Sequence, residues 1–416
     1  MHHRFQLILI LLIGISSRCL AFDPPIVAHD DPIIIDSELT LSALIDKTME
    51  KYPDAVLIPA LQQESQALEQ RGQSWLAKAP SISVSYLDDD LTDHTGYHEF
   101  VGALELPIWN WGQRDAGQHV AEQARLANNL KIQVIKLRVA GLLRTALWDI
   151  SLHKLRLGVS SKSYEVAEQL LKKIKFRVDL GDLPRIDLIL AESELLEKRI
   201  KLISAQAGAM HAHKRLSTLT QDIRIPASFD EQQTQIKAIN LEHPLMQASN
   251  SNIARKRAEL EWVKATGSGQ STLSLAGKSE RDSRDGRDIE SIGFSLSVPF
   301  GGSAHLAPEI ALIQLRLTEA IAQRDHLYRK LERQLHEAGH NIEVGRAELK
   351  IAEQRKAIAE EHLRVTELSF NAGEINLMDT LKIQDRAFAA IQHANEHAIN
   401  LQRNIALYNQ AAGVLP

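Results

Sequence analysis

Apolar and polar positions along this chain follow two periods, and the switch from one to the other falls at recognisable landmarks. From Thr40 to Ala79 the pattern is helical, with Pro53 near the first turns and Pro59 as a kink. Pro80 ends it. SISVSYL (81–87) then sets Ile82, Val84 and Tyr86 against Ser81, Ser83 and Ser85, a period of two that predicts a strand. DDDLTDHTGY (88–97) predicts a polar loop, and EFVGALEL (99–106) a second strand closed by Pro107. From 113 to 177 no proline interrupts a helical run in which Ile135, Val139, Leu142, Ala146 and Ile150 mark one seam. At 1.5 Å per residue such a helix is on the order of 100 Å long and needs neighbours of similar length. Gly181 ends it and Pro184 opens the next helix, which runs to Gln221.

The cycle then restarts. Residues 224–240 read as a linker, 241–265 as a helix, 271–276 and 291–298 as strands around a charged loop (277–290), 305–370 as a second long helix and 375–411 as a last one. Gly373 stands 192 positions after Gly181, and Pro299 stands 192 after Pro107. Each glycine is followed by an acid (Asp182, Glu374) and, six places on, by an aspartate (Asp187, Asp379). Tyr52-Pro53 and His243-Pro244 match one residue out of step. The chain is therefore expected to hold two structural repeats, 40–223 and 241–412, each ordered helix, strand, strand, long helix, glycine turn, helix. Both hairpins fall at one end of the long helices and both glycine turns at the other.

Composition narrows the setting. Residues 1–21 carry Arg4, a short apolar run and small residues at Cys19 and Ala21, the pattern of a secretory signal peptide, too short for a membrane span. A lipid-attachment reading of Cys19 is disfavoured by Arg18. Residues 22–39 read as an extended tail. Cleavage after Ala21 leaves no cysteine, so an exported chain must hold itself together by packing. Loss of Arg4 and Arg18, with no acid in that segment, takes the formal charge from −5 to −7, and a mildly acidic chain without a basic block does not suggest nucleic acid. No stretch beyond the signal reaches the ~18 apolar residues of a membrane helix. Aromatics are only 5 %, which suits long helices.

If the chain sits in a membrane it does so with strands. Their alternation fits two surface hairpins packed on helices, or strands of a barrel with lipid on one side and water on the other. Four strands cannot close a barrel, which takes about eight or more, so a barrel needs several chains. Ala-rich long helices with apolar seams would then continue away from the membrane and pack into a hollow cylinder.

The layout, together with LELPIWNWGQRDAGQHVAEQARL (104–126), LSVPFGGSAHLAPEIALIQLRL (296–317) and the two glycine turns, resembles the TolC-like outer-membrane efflux protein family over residues 40–412. The resemblance implies a mainly α fold with a small membrane β-barrel: duplicated long antiparallel helices forming a trimeric α-helical tunnel, and four strands per chain contributing to a shared outer-membrane barrel. It implies a passive exit duct in the cell outer membrane that extends into the periplasm. The duct is a homotrimer in outer-membrane lipid, served by a periplasmic adaptor (membrane fusion) protein and a proton-driven inner-membrane pump. Compact length and layout point to the heavy-metal, cobalt-zinc-cadmium branch. By the same resemblance the adaptor docks on Leu180, Gly181, Asp182 and Leu183 and on Ala372, Gly373, Glu374 and Ile375, and Asp379 lines an acidic lumen constriction. Lys382, one turn on, stands where a further acid would extend that ring, while Asp187 stands as an outward or inter-helix contact. The glycine turns are also what two long helices need to reverse, with acids favoured at the next helix start, and that reading is compatible with docking.

Other signals carry less. His393-Ala394-Asn395-Glu396-His397 matches a zinc-peptidase motif, but it lies in a polar helix with only 19 residues after it to supply a third ligand. His336 and His340 stand one turn apart and could share a metal. Gly267-Ser268-Gly269 lacks the third glycine of a nucleotide loop. Trp109 and Trp111 follow a strand end, where either plain packing or a membrane interface accounts for them. The chain is read as a non-enzyme without cofactor. The alternatives are a duct for one-step protein secretion, a periplasmic helical scaffold without a pore and, most remotely, a zinc hydrolase.

Overall fold

A computed structural model describes residues 33–91 and 94–416. The signal-peptide segment and Cys19 lie outside the described residues. The first described element is β1 (Ile34–Asp36), followed by α1 (Leu41–Lys51), whose N-terminus is capped by Thr40 Oγ1 accepting from the Ala43 amide at 3.1 Å. A single helix over 40–79 is corrected here. Tyr52 precedes a proline and takes an extended conformation (ψ 137°), which stops α1, and a 3₁₀ turn (Pro53–Val56) re-aims the chain into α2 (Leu57–Gln73). Pro59 causes no break, because it falls in the first turn of α2, where an amide hydrogen has no intrahelical partner. Past Gln73 the chain is irregular, pinned by the Ala77 amide donating to the Pro107 carbonyl at 2.9 Å.

The strands β2 (Ser81–Asp88) and β3 (His98–Ile108) lead into α3 (Gln113–Asp179), a 67-residue helix about 100 Å long. A tight turn reverses it into α4 (Arg185–Thr220). The segment read as a linker contains β4 (Arg224–Pro226), which pairs in parallel with β1, Ile35 opposite Ile225. The second repeat runs α5 (Pro244–Thr266), β5 (Ser271–Arg281), β6 (Ile289–Ser297), α6 (Ser303–Asn371, 69 residues) and α7 (Leu377–Ala411). β5 continues five residues beyond the expected 276 because it pairs with β3 as far as Arg281 opposite His98. Lys278, inside the segment expected to be loop, is held there by Glu99 and Glu280.

The molecule is mainly helical with one small antiparallel sheet of four strands, ordered β2-β3-β5-β6. α3 and α6 are its two rods. α2 and α5 flank the first half of α3, while α4 folds back along the second half and α7 folds back along α6. Apolar cores are strung along the rods. One joins α5 to α6 near the sheet through Ile253, Leu260 and Leu317. Mid-length cores centre on Leu44, Leu143, Leu147 and Leu216, and on Met246, Leu331, Ile342 and Tyr408. A last core at the far end joins Leu170 and Ile174 to Phe370, Leu377 and Leu381. No helix among the described residues is long and apolar enough to cross a membrane.

Candidate functional site

Two regions at opposite ends of the rods carry the features that a function can use. The first is the sheet. Its register places Ile82 opposite Leu104, Leu104 opposite Leu275 and Leu275 opposite Phe294, so one apolar row crosses all four strands. Tyr86–Phe100 and Leu106–Leu273–Leu296 form parallel rows on the same face. Most of this face is uncovered: Ile82 and Phe294, and Ile292 beside them, are 78, 82 and 94 % exposed, while Leu106 and Leu273 are half-buried. The opposite face carries Ser81, Ser83, Ser85, Ser274, Ser291 and Ser295. Its charges are matched locally, Ser81 Oγ donating to Glu105 at 3.0 Å and Lys278 reaching Glu99 at 2.7 Å. Glu99 and Glu280 are directly opposed, a repulsive placement that Lys278, bonded to both, relieves. The strands β2 and β6 are the sheet's edges, and among the described residues neither has a partner on its outer side.

The second region is the pair of glycine turns. Gly181 and Gly373 have φ of +77° and +78°, and a Cβ on either would meet nothing within 4 Å. Backbone conformation alone, not space, demands glycine there. Each turn closes with the same two bonds. The Gly181 amide donates to Val178 O and the Asp182 amide to Arg177 O; the Gly373 amide donates to Phe370 O and the Glu374 amide to Ser369 O. This is the Schellman pattern, repeated in both halves. Leu183 and Ile375 turn inward to the core shared by the two turns, while Leu180, Gly181, Asp182, Ala372, Gly373 and Glu374 face out. The structure thus gathers all eight residues of the expected docking surface at one end. Arg177 Nε donates to Asp182 Oδ2 at 2.7 Å, and the guanidinium lies 5.6 Å from the centre of the Phe370 ring, tying one turn to the other.

Asp379 lies in the first turn of α7. Its amide donates to Asn376 Oδ1 at 2.8 Å, and its carboxylate accepts from Asn376 Nδ2 at 3.0 Å, a reciprocal cap that leaves the carboxylate exposed. Lys382 is exposed one turn on, and the Asp187 amide donates to Pro184 O at 3.0 Å in the first turn of α4. Further along, Lys198 of α4 is almost buried and bonded to Glu194 and to Asp385 of α7, a link between repeats. Burial works against its charge, but the two carboxylates prevail and hold the ammonium above its usual range.

Sequence reasoning did not single out this link, nor a second feature that spacing could have revealed. Ile186, Ile189, Leu196, Ile200 and Ile203 of α4 form an exposed stripe. Val344, Ile351, Ile358 and Val365 of α6 form another, at strict intervals of seven.

The peptidase-like motif is taken apart by its contacts. Glu396 is bound by Arg156 at 2.7 Å and by Gln392 at 2.9 Å, and these outweigh burial to keep its carboxyl below the ordinary range. His397 faces Glu348 of α6 at 3.4 Å. Among the described residues no group of three or more His, Cys, Asp or Glu side chains is placed to hold a metal ion.

No protein-family model matches the chain, and no curated protein matches it in sequence. Solved structures do match in shape. The chain superimposes on the CmeC outer membrane channel of Campylobacter jejuni with a TM-score of 0.72 at 15 % identity, over 90 % of this chain and 85 % of that one. For CusC, a protein described as forming a transmembrane channel, the TM-score is 0.74 at 12 % identity, over 92 % and 94 %. For the outer membrane protein VceC of Vibrio cholerae it is 0.71 at 14 % identity, over 90 % and 97 %. The chain has the fold of the TolC-like outer-membrane channels.

Proposed function

We propose that three copies of this chain form an outer-membrane exit duct, a strand barrel in the lipid continued by a helical tunnel into the periplasm. One observation carries the reading: a four-stranded sheet with both edges open, one face apolar and uncovered, and the other lined with serine and paired charges. A lone sheet of this kind is stable in neither water nor lipid, because open edges leave backbone groups unbonded. Edge-to-edge union of copies satisfies them, and three copies supply about twelve strands, within the range of outer-membrane barrels. The exposed stripes on α4 and α6 give the tunnel its seams by the same logic.

The duct is passive, with no catalytic residue and no cofactor of its own. A proton-driven inner-membrane pump supplies the energy, and a periplasmic adaptor docks on Leu180–Leu183 and Ala372–Ile375. Asp379 rings the lumen just inside that tip, and three such carboxylates favour cations. Heavy-metal cations are the cargo this assigns first. Two experiments test the reading. Detergent extracts of outer membranes should contain the chain as a trimer; a soluble monomer in the periplasmic fraction would refute the duct. Cells lacking the gene should become sensitive to zinc, cobalt or copper, and sensitivity confined to dyes and antibiotics would remove the metal assignment.

A further inference from the structure

The polar face of the sheet carries its charges at two levels. Four rows cross this face. From the helix end outward they are Ser81–Glu105–Ser274–Ser295, Ser83–Ala103–Ala276–Gly293, Ser85–Val101–Lys278–Ser291 and Leu87–Glu99–Glu280–Ile289. Glu105 is the only charge in the first row, and the second row is small and uncharged throughout. The last two rows therefore form a separate charged level at the end of the sheet remote from the rods. There Glu99 and Glu280 stand directly opposite each other on β3 and β5. Lys278 Nζ reaches both, lying 2.7 Å from Glu99 Oε2, and all three side chains are half-buried. Tyr97 Oη donates to the same Glu99 oxygen at 2.8 Å. Strand pairing does not call for this arrangement. An uncharged pair at 99 and 280, like the serines elsewhere on the face, would need no counter-charge at all.

We infer that Lys278 is a tethered counter-ion of the exit lumen: it fills the seat between two opposed carboxylates, so that a divalent cation leaving through the duct is not caught there. The inference rests on the duct reading, which turns this face toward the lumen, and adds the residue that keeps the exit from retaining its cargo. Divalent cations are held by carboxylate oxygens, and two carboxylates side by side on neighbouring strands are a ready pair of ligands. An ammonium fixed to the same strand is always present at that seat, at an effective concentration that a dilute solute does not match. Two carboxylates and one ammonium leave the level with one net negative charge per chain. That still favours cations over anions, while conduction requires binding weak enough for the ion to leave. A purely structural role for Lys278, relief of repulsion between two strands, predicts no change in how ions move.

The test records potassium current through the purified full-length assembly in a planar phospholipid bilayer, with cobalt ion added on the side away from the rods. Every chain compared carries Asp379→Asn, so that carboxylates at the tip do not answer for those in the sheet. Lys278→Met should be half-blocked at a cobalt concentration about tenfold lower than the chain that keeps Lys278. Lys278→Arg should behave as Lys278 does, and Lys278→Met/Glu99→Gln, which has no opposed pair, should lose the added block. Equal cobalt sensitivity with and without Lys278 overturns the inference and leaves the duct standing. If the two carboxylates of Lys278→Met repel strongly enough to prevent assembly, Glu99→Gln/Glu280→Gln decides the matter, because it leaves no like charges opposed. Its level carries ammonium alone, so its preference for potassium over chloride should drop several-fold. An unchanged preference would take this level out of the ion path and overturn the inference. An assembly that passes no current with any of these chains removes the duct and the inference together.

Discussion

Arg144, midway along α3, has its guanidinium sealed from water and every donor group engaged. Its Nε and Nη2 fork onto Glu231 at 2.7 and 2.6 Å, Nη1 donates to Gln410 at 2.6 Å, and Nη2 also reaches the Val414 carbonyl at 3.0 Å. One residue thus ties the first rod to the inter-repeat segment and to the end of α7. Arg144→Met leaves the Glu231 carboxylate buried without its counter-charge and should cost about 3–5 kcal/mol. Arg144→Met/Glu231→Gln should be less damaging than Arg144→Met alone, because no uncompensated charge remains; urea midpoints of the three chains decide it. His243 makes a pH-dependent contribution at the other repeat. Buried at the N-terminus of α5, its Nδ1 accepts from the Leu245 amide at 3.2 Å, and burial pulls its pKa below the ordinary value of 6.5. The fold therefore prefers the neutral ring. Its contribution is complete above pH 6.5 and is lost as pH falls through the lower folded-state pKa. His243→Asn retains a capping acceptor without that titration. Melting temperatures followed down from about pH 7 to 5 should fall more steeply for the native chain than for the variant; parallel curves would remove His243 from the pH dependence.

Elements explain why some of this architecture can be read from residue order and some cannot. The antiparallel sheet is legible because its signal is local: Ile82, Val84 and Tyr86 against three serines, and Ile292, Phe294 and Leu296 against Ser291, Gly293 and Ser295. The mainly helical character is legible for the same reason. Tyr52 was harder to read, since a helix pattern persists on both sides of it and only the steric demand of Pro53 makes the break. The β1–β4 pair leaves no periodic trace, being three residues on each side joined across about two hundred positions. Partners such as Arg144–Glu231 and Lys198–Asp385 are fixed by tertiary packing, which no spacing within one segment encodes. The glycine turns are different, because their chemistry is compulsory. A side chain at φ +77° or +78° is strained even in open space, and a β-branched one most of all. Gly181→Val and Gly373→Val should each destabilise the turn by roughly 1–2 kcal/mol, while Gly→Asn costs less. If, as proposed, the chain is a trimeric metal-export duct whose turns dock a partner, the Val variants should lose metal resistance with the outer-membrane trimer still present in extracts, and the Asn variants should retain resistance. Val variants with full resistance would leave the turns a purely structural role.

On the scale of the whole molecule, the open surfaces of one chain are the argument for more than one. The exposed stripes on α4 and α6 belong to different repeats and different helical hairpins, so in the proposed trimer a patch on one copy would meet an unlike patch on the next. Such head-to-tail contact closes into a ring when the rotation per copy allows. The sheet obeys the same rule, since its free edges are the unlike strands β2 and β6. In the proposed ring, helices and sheet would share one common rotation, and a single substitution site can test both. Ile351 and Ile358 are 66 and 71 % exposed in the lone chain, so Ile351→Lys/Ile358→Lys removes little from its own core. Two ammonium groups in each seam would, however, be desolvated in every copy-to-copy contact, a burden that charged groups rarely survive in an apolar interface. The variant chain should fold with unchanged helical circular dichroism, fail to form trimers in detergent, and disappear from the outer membrane, because a barrel whose rods cannot meet leaves its strand edges open. Trimers at native abundance would mean that the α6 stripe faces no neighbour, and the ring would then have to be built from some other pair of surfaces.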